Sequence, residues 1–213
     1  MTNQSVAIID YGAGNLQSVS NAFSALGTKA EVISNPAGLD EYMHLILPGV
    51  GNFNQCAEKL MRGGWHETLL RLLDQKKYVL GICVGMQLMF SGSEETSDVS
   101  SNKYPGLKII DDEIKHLRTP HNERLPHVGW NSIMFDKSKS SKLFDGIENG
   151  TDMYFTHSYG YYSTNKKYEL AYVHYGTNFS AVVQKSTFFG VQFHPEKSGK
   201  PGSRLLKNFL ALC

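Results

Sequence analysis

This sequence is short of several things. It has only three cysteines, Cys56, Cys83 and Cys213, an odd number at unrelated spacings. That excludes a disulfide framework and points to a reducing, cytoplasmic setting. Net charge is only +1 across 213 residues. No basic excess is available for a polyanion, so a nucleic-acid partner is not expected. No apolar run is long enough to span a bilayer. The N-terminal stretch "MTNQSVAIIDYG" lacks a basic leader and a cleavage pattern. Internal repeats, low-complexity tracts and a domain linker are also missing, so a single unit over residues 1–213 is the expectation.

What is present alternates. "VAII" (6–9), "AEVI" (30–33), "LIL" (45–47) and "YVLGI" (78–82) read as buried strands. Between them, Leu16, Val19, Phe23 and Leu26 fall on one helical face, and Trp65, Leu69, Leu72 and Leu73 on another. Strands alternating with helices predict an α/β fold with a mostly parallel central sheet covered on both faces. The second half adds strand signals at 153–156, 169–175, 180–184 and 188–193, and a closing helix over 200–212. The stretches 92–106 and 119–126 read as polar loops.

The chemistry concentrates at "GICVGMQ" (81–87). A strand that turns sharply into a helix can hold its turn residue strained, with the side chain lifted clear of the sheet. Gly81 and Gly85 stand two residues either side of Cys83, where side chains would collide. The following helix would point its N-terminus at the sulfur and favour thiolate over thiol. This arrangement suits a nucleophile attacking a carbonyl. A buried cysteine in a close-packed turn fits the heptapeptide equally well.

A thiolate nucleophile needs a base, and the base needs an orienter. Among eight histidines, His194 ends the apolar strand "FFGVQF" and is followed by Pro195 and Glu196. At the carboxyl end of a strand it would project over the same sheet edge as the elbow. Glu196 could fix its tautomer. Taken singly, the two are an ordinary histidine and glutamate in a solvent loop. "GAGNLQ" (12–17) lacks the third glycine of a dinucleotide fingerprint. His116, His121 and His127 are too irregularly spaced for a metal site.

Together these stretches resemble the class I (triad) glutamine amidotransferases, and within them the glutaminase subunits of imidazole glycerol phosphate synthases. The matching segments are "IDYGAGN" (9–15), "LPGVGNF" (47–53), "GICVGMQL" (81–88), "SEE" (93–95), "LPHVGWN" (125–131), "YFTHSY" (154–159) and "GVQFHPEKSG" (190–199), in family order. The resemblance implies a flavodoxin-like amidotransferase fold over 1–213, with additional antiparallel strands in the C-terminal half. It implies a Cys83–His194–Glu196 triad that hydrolyses L-glutamine without a cofactor. An oxyanion site would be built from backbone at Val50, Gly51 and Val84, with glycine supplying the freedom a reorienting peptide needs. Gln87 and Glu95, with backbone at Ser158 and Tyr159, would hold the amino-acid head. Without the resemblance, "PGVG" is a plain turn and "SEE" a solvated loop.

It further implies a (β/α)₈-barrel cyclase as partner in a heterodimer, receiving ammonia through a channel, with Asn15, Trp130, Asn131 and Lys197 on the docking face. Trp130 reads equally as an interface anchor or as core, and an exposed Lys197 is unremarkable. Val84 stands where leucine is commoner in the family. A related branch that feeds ammonia to amidotransfer on bacterial surface sugars shares the same glutaminase motifs. A non-catalytic amidotransferase-like scaffold is the reading of a different class, and a cysteine hydrolase acting on another substrate is a third.

Overall fold

A computed structural model describes residues 5–95, 103–136, 141–164 and 166–213. The strands are β1 (Ser5–Ile9), β2 (Lys29–Ile33), β3 (His44–Leu47), β4 (Tyr78–Ile82), β5 (Phe90–Ser93) and β6 (Ile110–His116), then β7 (His127–Ile133), β8 (Thr151–His157), β9 (Tyr159–Gly160), β10 (Glu169–Tyr175), β11 (Thr177–Lys185) and β12 (Phe188–Val191). The helices are α1 (Leu16–Ala25), α2 (Phe53–Arg62), α3 (Trp65–Asp74), α4 (Val84–Gln87) and α5 (Gly199–Leu210).

Seven strands form the central sheet in the order β10-β11-β12-β4-β3-β1-β2. The run β12-β4-β3-β1-β2 is parallel, and β11 and β10 extend it in antiparallel fashion. In the middle of the sheet both faces are covered, so Val6 to Ile9 and Leu45 to Leu47 are all buried. The edge strand β2 instead has no fully buried residue and carries an exposed Lys29–Glu31 ion pair at 3.1 Å. Predicted helix faces point inward: Val19 and Phe23 in α1, Trp65, Leu69 and Leu72 in α3, and Leu205, Leu206, Phe209 and Leu210 in α5 are buried. Removing one such large apolar side chain from water contributes about 1.5–3 kcal/mol.

Two helices begin the same way. In "GAGN" and "GVGN" the asparagine caps the helix, Asn15 accepting from Ser18 N and Asn52 from Gln55 N. The glycine-rich stretch at 12–17 is therefore the β1–α1 turn.

Three differences from the sequence reading matter. The helix after Cys83 is a single turn, Val84–Gln87, before the chain turns into β5. Its macrodipole is correspondingly small, and local N–H groups must carry any electrostatic effect. The predicted strand 153–156 belongs to β8, which among the described residues pairs with β7 alone in a separate two-stranded sheet. The strands β5, β6, β7 and β9 had no period-2 apolar signal. In β6, "IDDEIKH", only Ile110 and Ile114 are buried. Of the polar stretch 92–106, Gly92 and Ser93 end β5 and residues 96–102 lie outside the described residues.

The sheet order decides where the chemistry can happen. β12, β4 and β3 are adjacent and parallel, with Val191 opposite Ile82 and Leu47 opposite Gly81. Their carboxyl ends open onto one edge. There the chain places the turn "PGVG" after β3, Cys83 after β4 and His194 shortly after β12. A Cβ at Gly85 would lie 1.8 Å from the Leu47 carbonyl oxygen. Gly85→Ala is therefore expected to cost about 3 kcal/mol or more, because the atom it meets is backbone. Urea denaturation checks this, and a wild-type midpoint would show that the contact is loose.

Candidate active site

Cys83 has φ 54° and ψ −111°, a conformation that is sterically costly for a residue with a Cβ. Backbone bonds hold it there. Its N–H donates to Val191 O at 2.8 Å, and its carbonyl accepts from Met86 N and Gln87 N. The side chain is 4% exposed. It lines a cavity of about 390 Å³ together with Val50, Gly51, Val84, Gln87, Glu95, Pro126, Thr156, His157, Ser158, Tyr159, His194 and Lys197. The predicted nucleophile, base, oxyanion segment and amino-acid-head residues thus converge on one space. Glu196 lies directly behind it.

His194 Nδ1 meets Glu196 Oε1 at 2.8 Å, and both side chains are almost wholly buried. The carboxylate accepts, so Nδ1 carries the proton and Nε2 is the nitrogen left for chemistry. Nε2 is buried with no hydrogen-bond partner among the described residues. Burial by itself lowers the ring's pKa. The nearby Cys83 sulfur and the Glu196 carboxylate outweigh it and raise it to about 9. The turn is pinned from beneath. His194 N donates to Tyr154 O at 2.9 Å, Ser198 Oγ donates to His194 O at 2.6 Å, and Tyr154 N donates to Ser198 Oγ at 3.0 Å. The base is thereby tied to β8.

In the turn after β3, Gly51 has φ 97°, a left-handed conformation that favours glycine. The Val50 side chain is exposed, while its carbonyl accepts from Cys56 Sγ at 3.6 Å. Cys56, given no part in the sequence reading, thus lies under this segment. Glu95 accepts from Phe53 N at 2.7 Å, at the start of α2. Burial raises its pKa, against the hydrogen bonds from Phe53 and Asn52. Gln87 is 2% exposed and donates through Nε2 to Tyr159 O and to Gln192 Oε1, both at 3.0 Å. Gln192 Nε2 in turn lies 3.7 Å from Cys83 Sγ as donor.

The four proposed docking residues differ in setting. Trp130 is 57% exposed on β7, two residues from the 56%-exposed Val128, so it is not core. Its ring meets Tyr154 edge-on. Lys197 is exposed at the cavity and sits over the same tyrosine. Asn15 is exposed but serves as the α1 cap. Asn131 spends its amide inside the molecule, on the His174 carbonyl and on His127 Nε2. Sequence reasoning missed His127, His157 and Gln192. They stand inside the segments "LPHVGWN", "YFTHSY" and "GVQFHPE", but no spacing rule marks a buried polar pair.

His157 and His127 are buried rings, and burial lowers their pKa from 6.5 to about 3 and about 4. A ring whose pKa falls on folding binds fewer protons folded than unfolded. Its contribution to stability is complete above pH 6.5 and is lost as pH falls toward 4 and 3. His194 has the opposite sign, its contribution being complete below 6.5 and lost as pH rises through about 9. Wild type is therefore expected to lose stability between pH 6.5 and 4 more steeply than His157→Asn, by on the order of 1 kcal/mol per pH unit. Urea midpoints across that range measure it, and parallel curves would contradict the assignment.

Residues 7–213 match the family described as glutamine amidotransferase class-I. The chain is 40% identical over 204 residues to the imidazole glycerol phosphate synthase subunit HisH of Moorella thermoacetica, covering 96% of this chain and 93% of that one. It is 39% identical over 223 residues to the subunit of that name from Helicobacter hepaticus, covering all of both chains. Among solved structures, a glutamine amidotransferase superposes with a TM-score of 0.72 at 17% identity, covering 97% of each chain. PurLQS from Thermotoga maritima superposes with a TM-score of 0.71 at 15% identity, covering 99% of each. At that identity the two structures speak for the fold. The match over nearly the whole length, and relatives at about two-fifths identity, establish that the chain belongs to the class I glutamine amidotransferases.

Proposed function

We propose that this chain is the glutaminase subunit of an imidazole glycerol phosphate synthase, working in the cytoplasm as one partner of a heterodimer. The observation that carries the reading is the strained Cys83 elbow opening into the same cavity as the buried His194–Glu196 pair.

The chemistry follows from these groups. The Cys83 sulfur attacks the side-chain amide carbon of L-glutamine, and the carbonyl oxygen takes the negative charge. Backbone N–H groups around Val50, Gly51 and Val84 are the donors at hand for that oxyanion. His194, charged by the proton taken from Cys83, gives it through Nε2 to the leaving nitrogen. Ammonia departs and a glutamyl thioester remains. The neutral ring then draws a proton from water as it attacks the thioester carbon, and returns it to the departing sulfur. Atoms balance to glutamate plus ammonia. Glu196 holds the ring and stabilises its charged form without taking the proton. Glu95 and Gln87, with backbone at Ser158 and Tyr159, receive the ammonium and carboxylate of the substrate. No cofactor enters any step.

The name of the relatives, a subunit of a synthase, supports a partner that uses the ammonia. A (β/α)₈-barrel cyclase of histidine biosynthesis is the partner we propose, in preference to a surface-sugar amidotransferase. Trp130 and Val128 form an exposed apolar face beside the cavity-lining Lys197, and Tyr154 lies under both Trp130 and Lys197. A docking surface there lies next to the site that would release ammonia. Direct passage would keep the ammonia unprotonated and out of solvent.

Two outcomes test this. Cys83→Ala is expected to lower glutamate release from glutamine by at least about a thousandfold while leaving the fold intact. Release at the wild-type rate would remove the nucleophile. Trp130→Ala is expected to change stability by no more than about 0.5 kcal/mol, because the ring is exposed, yet to weaken binding to the cyclase about tenfold or more. Titration of the purified subunits decides it. Unchanged affinity would move the docking face elsewhere.

A further inference from the structure

A chain of buried polar groups leads from β7 to the substrate cavity, and its donor and acceptor roles can be assigned. Tyr159 O can only accept, so His157 Nδ1, 2.8 Å away, carries the proton. His157 Nε2 of the neutral ring is then an acceptor. It lies 3.3 Å from His127 Nδ1, which must donate. His127 Nε2 becomes the acceptor for Asn131 Nδ2 at 3.3 Å. The remaining groups of the Asn131 amide are also used, by the His174 carbonyl and by Ser132 N. Each ring is locked as the Nδ1–H tautomer, because the other form would set two donors or two lone pairs face to face.

Beyond Tyr159 the logic continues into the site. The same carbonyl accepts from Gln87 Nε2, whose second hydrogen goes to Gln192 Oε1. Both amide hydrogens of Gln87 are therefore spent. Its Oε1 is left as the acceptor of a side chain that lines the cavity. A glutamine amide is nearly symmetric, and rotation by half a turn would present a donor there instead. What prevents rotation is the position of one backbone oxygen. That oxygen sits in β9, a strand of only two residues, held to β6 at Lys115–Gly160 and His116–Tyr159. The His157 side chain closes a tight turn onto it from two residues upstream.

We propose that His127 and His157 are positioning residues for the substrate: as locked Nδ1–H tautomers they fix the Tyr159 carbonyl, and through it hold the Gln87 amide with its oxygen toward the bound amino acid's ammonium. This rests on the glutaminase reading for the identity of the amino acid. The tautomers and the direction of the amide rest on the hydrogen bonds alone. The rings touch no reacting atom, so their effect falls on substrate affinity more than on turnover.

The experiment has two arms on the full chain. In the first, ¹⁵N-histidine spectra of the wild type at neutral pH, assigned with His127→Asn and His157→Asn, are expected to show both rings neutral and protonated at Nδ1. An Nε2–H form of either ring overturns the proposal, whether or not any variant folds well. In the second, His157→Leu is expected to raise the KM for glutamine about tenfold, the equivalent of one buried hydrogen bond at about 1.4 kcal/mol, with kcat within about threefold. His157→Asn, whose amide N–H can take the place of Nδ1–H, is expected to restore KM to within about threefold of wild type. In a Gln87→Ala background His157→Leu should add nothing to KM. An unchanged KM in His157→Leu, no rescue by asparagine, or full additivity with Gln87→Ala would each refute it. Wild type that hydrolyses no glutamine would sink the glutaminase reading instead, leaving the spectra to decide the relay.

Discussion

Everything at this site depends on one close approach, that of the backbone at the end of β3 to the first turn after β4. The space between the Leu47 carbonyl and Gly85 admits no side chain, since a Cβ there would sit 1.8 Å from the oxygen. That contact forces the chain after Ile82 to turn at once. Cys83 accepts the cost of a positive φ, and the N–H groups of Met86 and Gln87 fold back onto its carbonyl. The strain is held because the flanking strands are packed in the middle of a seven-stranded sheet. The sulfur is thus aimed by the packing of the core.

The base is aimed differently. His194 follows a strand adjacent and parallel to the one that carries the cysteine, so sheet order alone brings the two to the same edge. Fine adjustment comes from a small buried network. Glu196 takes one ring nitrogen, and Ser198 and Tyr154 tie the turn to β8. Since β8 pairs with β7, where Trp130 lies exposed, the base and the proposed docking face share one support. The charge balance at His194 has a physical sense. Desolvation would empty the ring of its proton, and a neighbouring carboxylate and sulfur keep it there.

The substrate side uses neutral polar groups instead. His127, His157, Gln87 and Gln192 are each 7% exposed or less, and each has its hydrogen bonds arranged so that one side chain fixes the next. Buried polar groups are costly when a partner is missing and rigid when none is. Such a set holds an orientation well, which suits a site that must tell an ammonium from a carboxylate.

By itself the sequence determined the local events: the buried parallel strands, the inward helix faces, the glycine-flanked cysteine, and the His-Pro-Glu turn. Each rests on neighbours a few residues apart, which periodicity and spacing report directly. The family segments, from "IDYGAGN" to "GVQFHPEKSG", also marked Cys83, His194 and Glu196 and many of the residues that line the cavity, but not Thr156 or His157. Tertiary structure alone decided the rest. It shortened the helix after Cys83 to one turn, because β5 must start at Phe90. It put "MYFT" in a separate two-stranded sheet, exposed Trp130, and turned Asn131 inward. It also joined His127 to His157 across thirty residues of chain. Such pairings are set by which strands lie side by side, and no local pattern in β6 or β7 announces a partner, since half-exposed polar strands carry little period-2 signal.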